Sequence, residues 1–98
     1  MTVSINISKV LMDITGEPRT DEAVLEVLKD AIEYRIEKIN TELQGLEAKY
    51  GMEFEMFKDK FVKGEIKDRF SYDIEMDYLE WEGFLSRLKK YNNALKNL

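Results

Sequence analysis

The spacing of apolar residues between positions 25 and 50 is the feature that most constrains the fold of this chain. Apolar side chains recur there at intervals of three or four residues: Leu25, Leu28, Ile32, Ile36, Ile39, Leu43, Leu46 and Tyr50. This period places all of them on one side of an α-helix. A helix over residues 20–50 would be about 45 Å long, which is more than a compact domain of 98 residues needs. The sequence therefore predicts an elongated helical molecule.

Local signals mark the two ends of this helix. Asp21 and Glu22 fall in its first turn, where the helix dipole favours acidic side chains. The hydroxyl of Thr20 is expected to cap the helix N-terminus. Gly51 follows the last apolar residue and suits the left-handed position beyond a helix C-terminus. We therefore predict that the helix begins at Thr20 and ends at Tyr50.

Two further helices are predicted downstream. A short helix over residues 53–63 carries three phenylalanines on one face, and a long helix over residues 71–97 repeats the heptad spacing. Acidic residues come first in the long helix and basic residues last, an order that suits the helix dipole at both ends. Its apolar residues at seam positions are Ile74, Tyr78, Trp81, Leu85, Leu88 and Leu95.

The two long helices are expected to pack against each other as an antiparallel hairpin with a short middle helix. Because both helices are long for a small domain, we expect the hairpin to dimerise into a helical bundle. The oligomer seam predicted in this way consists of Ile32, Ile36, Ile39, Leu43, Leu46, Leu85 and Leu88. The predicted fold class is mainly α, in a single helical domain over residues 1–98.

Residues 1–19 are expected to form an N-terminal arm. From Thr2 to Ile7 the chain alternates polar and apolar residues, which is the period of a half-buried β-strand. Such a strand would need a partner from a second copy or from another protein, since no later segment resembles a matching strand. A short helix from Ser8 to Ile14 is the alternative, and the turn residues that follow close the arm in either case.

Composition excludes several classes of function. The net charge of −5 disfavours binding to a phosphate backbone and favours a basic partner. The chain has no cysteine and no histidine, so thiolate catalysis, zinc sites of the usual kind and histidine-assisted nucleophiles are excluded. It also lacks an apolar segment long enough for a signal peptide or a membrane span, so we expect it in the cytoplasm. No cofactor is expected.

Carboxylates are dense enough to raise the question of a metal site. Asp73, Asp77 and Glu80 share one helical face, but a carboxylate-bridged di-iron site also needs histidine. A magnesium-dependent nucleotide hydrolase needs acidic pairs on facing helices. The candidates Asp30 with Glu33 and Glu65 with Asp68 fit this poorly, because the second pair lies in a predicted linker. We therefore interpret the acidic residues as a solvated surface, and predict no catalytic or metal-binding residue.

Aromatic residues are concentrated between residues 50 and 84, which hold nine of the eleven in the chain, together with ten acidic residues. Most of these aromatics are expected to close one end of the hairpin. Some are expected to remain exposed within an acidic rim, a composition that suits a basic protein partner. The residues predicted to bind that partner are Asp77, Tyr78, Glu80, Trp81, Glu82, Phe84 and Tyr91.

The same segment carries a resemblance to known proteins. Its pattern consists of Tyr50-Gly51-Met52, spaced phenylalanines and, further on, Asp77-Tyr78-Leu79-Glu80-Trp81-Glu82. Over roughly residues 46–95 this resembles a group of short archaeal and bacterial proteins, many encoded as presumed antitoxins of toxin–antitoxin pairs and others uncharacterised. Glu53 departs from the pattern, since a helix-capping Ser is expected there. The resemblance implies a non-catalytic protein that binds and neutralises a small basic toxin.

The leading functional hypothesis is therefore a non-catalytic interaction module, an antitoxin-like homodimer that binds a basic protein. One alternative is a DNA-binding regulator that inserts paired N-terminal strands into the major groove. Thr2 to Ser8 contains neither Lys nor Arg, which weakens that hypothesis. The least favoured alternative is the magnesium-dependent all-α nucleotide hydrolase.

Overall fold

The computed structural model describes residues 3–98, and over these residues the chain is helical without any β-strand. The helices are α1 (Ile5–Thr15), α2 (Thr20–Tyr50), α3 (Phe54–Val62) and α4 (Tyr72–Lys96). α2 and α4 pack as an antiparallel hairpin, α3 packs on α4, and α1 packs on α2. The molecule measures 57 × 22 × 21 Å. The predicted mainly α hairpin with a short middle helix is confirmed.

The β-strand predicted over residues 2–7 is wrong from Ile5 onward, because α1 begins there. Met1 and Thr2 lie outside the described residues. Ser4 caps the helix by accepting a hydrogen bond from the backbone N–H of Ile7 at 3.2 Å. A lone strand would leave its backbone groups unpaired, whereas a helix satisfies them internally and can pack on α2. The alternative helix over residues 8–14 lies within α1.

The DNA-binding hypothesis stays a prediction, but it assumed paired N-terminal strands. A two-stranded ribbon in the major groove requires extended backbone at the N-terminus. Residues 5–7 are helical, so they cannot supply that ribbon.

The predicted bounds of α2 are confirmed, but its cap differs from the prediction. Arg19 occupies the N-cap position and makes no side-chain capping bond. Thr20 is the first helical residue instead, and its hydroxyl lies 3.4 Å from that of Ser8 in α1. At the other end Gly51 has the expected left-handed backbone, with φ 68°, and donates its N–H to the carbonyl of Glu47.

The predicted ends of α3 and α4 differ from the observed ones by one residue. Glu53 is the N-cap residue of α3 and makes no side-chain capping bond, whereas Ser71 caps α4 through the N–H of Ile74. Between the two helices, Arg69 donates hydrogen bonds to the carbonyls of Phe61 and Val62 at 2.8 and 3.2 Å. These bonds satisfy carbonyl groups at the end of α3 and hold the linker against it.

The core lies where α3 folds over the α2–α4 hairpin, and we call this region the closed end. Its buried residues are Ile39, Leu43, Leu46, Phe54, Phe57 and Trp81, and Leu85 and Leu88 pack against them. Five of the seven predicted seam residues therefore pack inside one chain. The other two, Ile32 and Ile36, are partly buried nearer the N-terminus of α2.

Candidate protein-docking surfaces

Two of the residues predicted to bind a partner point into the closed end. Trp81 is only 1% exposed, because it occupies a seam position of α4 between α2 and α3. Its ring lies 5.1 Å from that of Phe57 and 5.9 Å from that of Tyr50, measured between centroids. Tyr78 is partly buried, with its ring 4.7 Å from that of Phe61. Trp81 therefore belongs to the core and is out of reach of a partner.

Asp77, a third predicted residue, joins the two long helices. Its Oδ2 accepts hydrogen bonds from Lys49 Nζ at 2.6 Å and from the Tyr50 hydroxyl at 2.5 Å. Burial alone would raise the pKa of Asp77, but the bonds from Lys49 and Tyr50 outweigh it and lower that pKa. Burial, reinforced by the bond to Asp77, raises the pKa of Tyr50, and the same bond raises the pKa of Lys49. Asp77 thus stabilises the hairpin.

The side of α4 that faces away from Trp81 carries a second apolar stripe. Tyr72, Met76 and Leu79 are spaced four and then three residues apart, so they share one helical face. Tyr72 is 74% exposed and Leu79 is 59% exposed, while Met76 is partly buried. Just before the helix begins, Phe70 is 76% exposed. We call this side the outer face of α4.

Carboxylates border this outer face on both sides. The four are Asp73, Glu75, Glu80 and Glu82, and all of them are exposed. None of these four forms an ion pair with another residue of the described chain, since the ion pairs found there involve other carboxylates. The outer face of α4 is therefore a row of large apolar side chains flanked on both sides by negatively charged carboxylates. Glu80 and Glu82 were predicted to bind a partner, and they lie here.

Sequence reasoning missed Tyr72, Leu79 and Phe70 as surface residues. The heptad pattern drew attention to the inner stripe of α4, which contains Trp81. The signal for the outer face was a second series of apolar residues, offset from the seam, in the acidic half of the same helix. A helix with apolar residues on two opposite sides can bury only one of those sides against a single neighbouring helix.

The remaining predicted residues, Phe84 and Tyr91, line a shallow groove between α2 and α4, with a volume of about 450 Å³. The Arg87 guanidinium lies 5.0 Å from the ring centroid of Phe84. The other lining residues are Arg35, Lys38, Ile39, Glu42 and Glu80. Because both cations and carboxylates line this groove, it lacks the uniform charge of the outer face of α4.

The opposite end of the molecule has a different character, and we call it the open end. It consists of α1 and the first three turns of α2. Only Leu11 and Ala23 are buried there. Large apolar residues that stay between 37% and 74% exposed are Ile5, Ile7, Val10, Met12, Ile14, Leu25 and Leu28. This end presents more apolar surface than its two helices can cover for each other.

Residues 3–98 contain neither a cluster of metal ligands nor a helix that could span a membrane. Their acidic side chains, including the four of the magnesium hypothesis, form no group of three that could hold a metal ion. No helix among them combines the length and the apolar character needed to cross a membrane.

The observations define an elongated helical-hairpin protein with exposed apolar surfaces. Comparison with known families places it further: the chain belongs to the uncharacterized protein MJ0235 family, whose family model matches residues 1–98. Searches of curated proteins and of solved structures gave no match. Membership of a largely uncharacterised family is thus confirmed, and the antitoxin resemblance stays a prediction.

Proposed function

We propose that this protein is a non-catalytic interaction module that binds a basic protein segment on the outer face of α4. The observation that carries the proposal is the exposed apolar stripe of Tyr72 and Leu79 between carboxylates that lack ion-pair partners in the described chain. Apolar anchors surrounded by a charged rim are the usual composition of a protein-binding site.

The chemistry of the surface defines the partner. Tyr72 and Leu79 lie on the same face of α4, seven residues apart, which is about 10 Å along the helix axis. They would contact apolar side chains of an amphipathic helix or a short strand. Asp73 and Glu80 on one side, and Glu75 and Glu82 on the other, would pair with Lys or Arg flanking those side chains. Such charges accelerate association and exclude acidic competitors.

A small basic toxin fits this description, and this is where the resemblance to antitoxins enters. In that version of the proposal the protein acts in the cytoplasm and covers a basic surface that the toxin needs for its activity. Neutralisation by covering requires no catalytic residue on the chain that binds.

Co-expression with the product of the neighbouring open reading frame tests the proposal. We expect the two proteins to co-purify, and we expect Tyr72→Ala with Leu79→Ala to weaken binding by at least about thirty-fold, as anchor residues do. The matched control is Met56→Ala with Val62→Ala, which also shortens two exposed apolar side chains but lies on α3.

Two outcomes would count against the proposal. A neighbour that is neither toxic nor co-purified contradicts the antitoxin role. A partner that binds equally well after Tyr72→Ala with Leu79→Ala contradicts the assignment of the outer face. The separate variant Glu75→Lys with Glu82→Lys should slow association with the partner at low salt, and this effect should shrink at high salt.

A further inference from the structure

We propose that the open end binds the open end of a second copy of this chain, with the two α2 helices antiparallel. The contact would bring α1 and the first turns of α2 from each copy into a four-helix arrangement. It differs in position from the predicted oligomer seam, most of which is occupied by the chain's own hairpin.

The apolar stripe of α2 continues beyond the closed end. Leu25, Leu28 and Ile32 follow the same helical face as Ile39 and Leu43, which are buried. Leu25 and Leu28 stay exposed even though they belong to that stripe. α2 has 31 residues and α4 has 25, so the longer helix extends past its neighbour. A second helix lying along the free part of the stripe would continue the packing that α4 begins.

Charge identifies the second helix as another α2. With Leu25 and Leu28 at positions a and d of a heptad, Glu22 and Lys29 both fall at position e. In an antiparallel pair of helices, e positions of one chain lie beside e positions of the other. Glu22 of each copy would therefore lie beside Lys29 of the other, and the symmetry of the dimer produces this pair twice.

Within one chain, Glu22 and Lys29 both remain accessible for an ion pair with a second copy. Lys29 is exposed and forms no ion pair in the described chain. Glu22 forms an ion pair with Arg19, and its side chain remains 43% exposed. A parallel pair would instead bring together e and g positions, and the g positions here are Val24 and Ala31. The sequence thus favours the antiparallel pairing with itself.

The proposed contact needs α1 as well as α2, because the stripe of α2 alone is too small for a stable interface. A specific interface takes about 800 Å² from each partner, which is more than one short helical stripe provides. α1 packs beside this part of α2 and has five large apolar side chains that remain exposed. Of its eleven residues only Lys9 and Asp13 are charged, so α1 would add apolar area with little desolvation of charge.

Sedimentation equilibrium on the full chain provides the first test. We expect a dimer for the parent protein, and at least hundred-fold weaker self-association for Leu25→Asp with Leu28→Asp. Circular dichroism checks that helicity is retained. The matched control is Tyr72→Asp with Leu79→Asp, which should remain dimeric because the outer face of α4 lies elsewhere. A monomeric parent at its highest soluble concentration, or a dimer that survives the open-end variant, would overturn the proposal.

A charge exchange tests the antiparallel pairing and remains decisive if Leu25→Asp with Leu28→Asp unfolds the chain. Glu22→Lys alone and Lys29→Glu alone should each weaken the dimer by roughly ten-fold at low salt, since two attractive pairs become repulsive. The combination Glu22→Lys with Lys29→Glu should restore it. Single variants without effect, or a combination that does not recover, would overturn the pairing.

Discussion

Both ends of the hairpin carry many apolar side chains, but the closed end covers them and the open end leaves most of them exposed. At the closed end Phe57 and Trp81 are completely enclosed, and their neighbours contact them from three helices. At the open end Ile5 and Ile14 are largely exposed although they belong to a regular helix. The difference lies in the number of helices that meet, because α3 covers the hairpin at one end whereas α1 meets mainly α2 at the other.

Helix length decides which part of the apolar surface stays uncovered. α2 is longer than α4 and extends past its end, so part of the apolar stripe of α2 has no helix packed on it within the chain. The same periodicity that builds the core at the closed end therefore leaves a surface at the open end. The closed end should therefore carry most of the stability of the fold, while the open end is available for association.

The largest effect is expected at the closed end. Phe57→Ala should destabilise the protein by about 3–5 kcal/mol, because it removes a ring that is 0% exposed and leaves a cavity between three helices. Urea unfolding followed by circular dichroism measures the loss. Phe70→Ala is the matched control and should change stability by less than about 0.5 kcal/mol. Equal losses in the two variants would contradict the placement of the core.

An intermediate effect is expected at the bond between α2 and α4. Asp77→Asn should cost about 2 kcal/mol at neutral pH, since it removes a charged acceptor from Lys49 and Tyr50. Because folding lowers the pKa of Asp77, its contribution is present above the pKa of the unfolded chain. That contribution is lost as the pH falls through the pKa of the folded state.

The pH dependence separates this bond from a general packing effect. Stability curves measured by urea unfolding between neutral and acidic pH should fall more steeply for the parent than for Asp77→Asn. Glu75→Gln serves as control, because this exposed carboxylate borders the outer face of α4 and makes no ion pair in the described chain. If Asp77→Asn and the parent lose stability in parallel, the bond does not determine the acid response.

The smallest effects are expected at two of the glycine turns, those that end α2 and α1. Gly51 and Gly16 both have positive φ, 68° and 71°, and an added Cβ would meet nothing within 4 Å at either. Gly51→Ala should cost about 1 kcal/mol of global stability, since a left-handed backbone disfavours a side chain. Gly16→Ala should cost less in the same unfolding measurement, because α1 can detach instead of bearing the strain. A larger loss for Gly16→Ala would show that α1 belongs to the cooperative core.

The long helices were predictable because their signals agree at every level. Apolar spacing, Asp21 and Glu22 in the first turn and Gly51 at the end all indicate the same bounds for α2, and these are the observed bounds. The structure of the N-terminal arm was harder to predict, because the β-branched Ile5 and Ile7 favour a strand locally whereas packing against α2 favours a helix. Only the three-dimensional context shows that a helix has a neighbour there and a strand has none.

The candidate site was predictable in its chemistry and less so in its residues. The acidic half of α4 and its aromatic content were visible in the sequence. Which aromatics face outward depends on where α2 and α3 lie, and this places Trp81 inside and Tyr72 outside. A seam position predicts burial better than binding, so the offset series of Tyr72, Met76 and Leu79 was the better indicator of a surface.

The 57 Å length of the molecule affects how its mass is measured in solution. Its radius of gyration is 19.4 Å, against about 13 Å for a compact chain of 100 residues. A rod of this kind experiences more friction than a sphere of equal mass, so even a monomer should leave a gel-filtration column early. Elution volume alone would therefore report a dimer whether or not one forms, whereas sedimentation equilibrium and light scattering read the mass independently of shape.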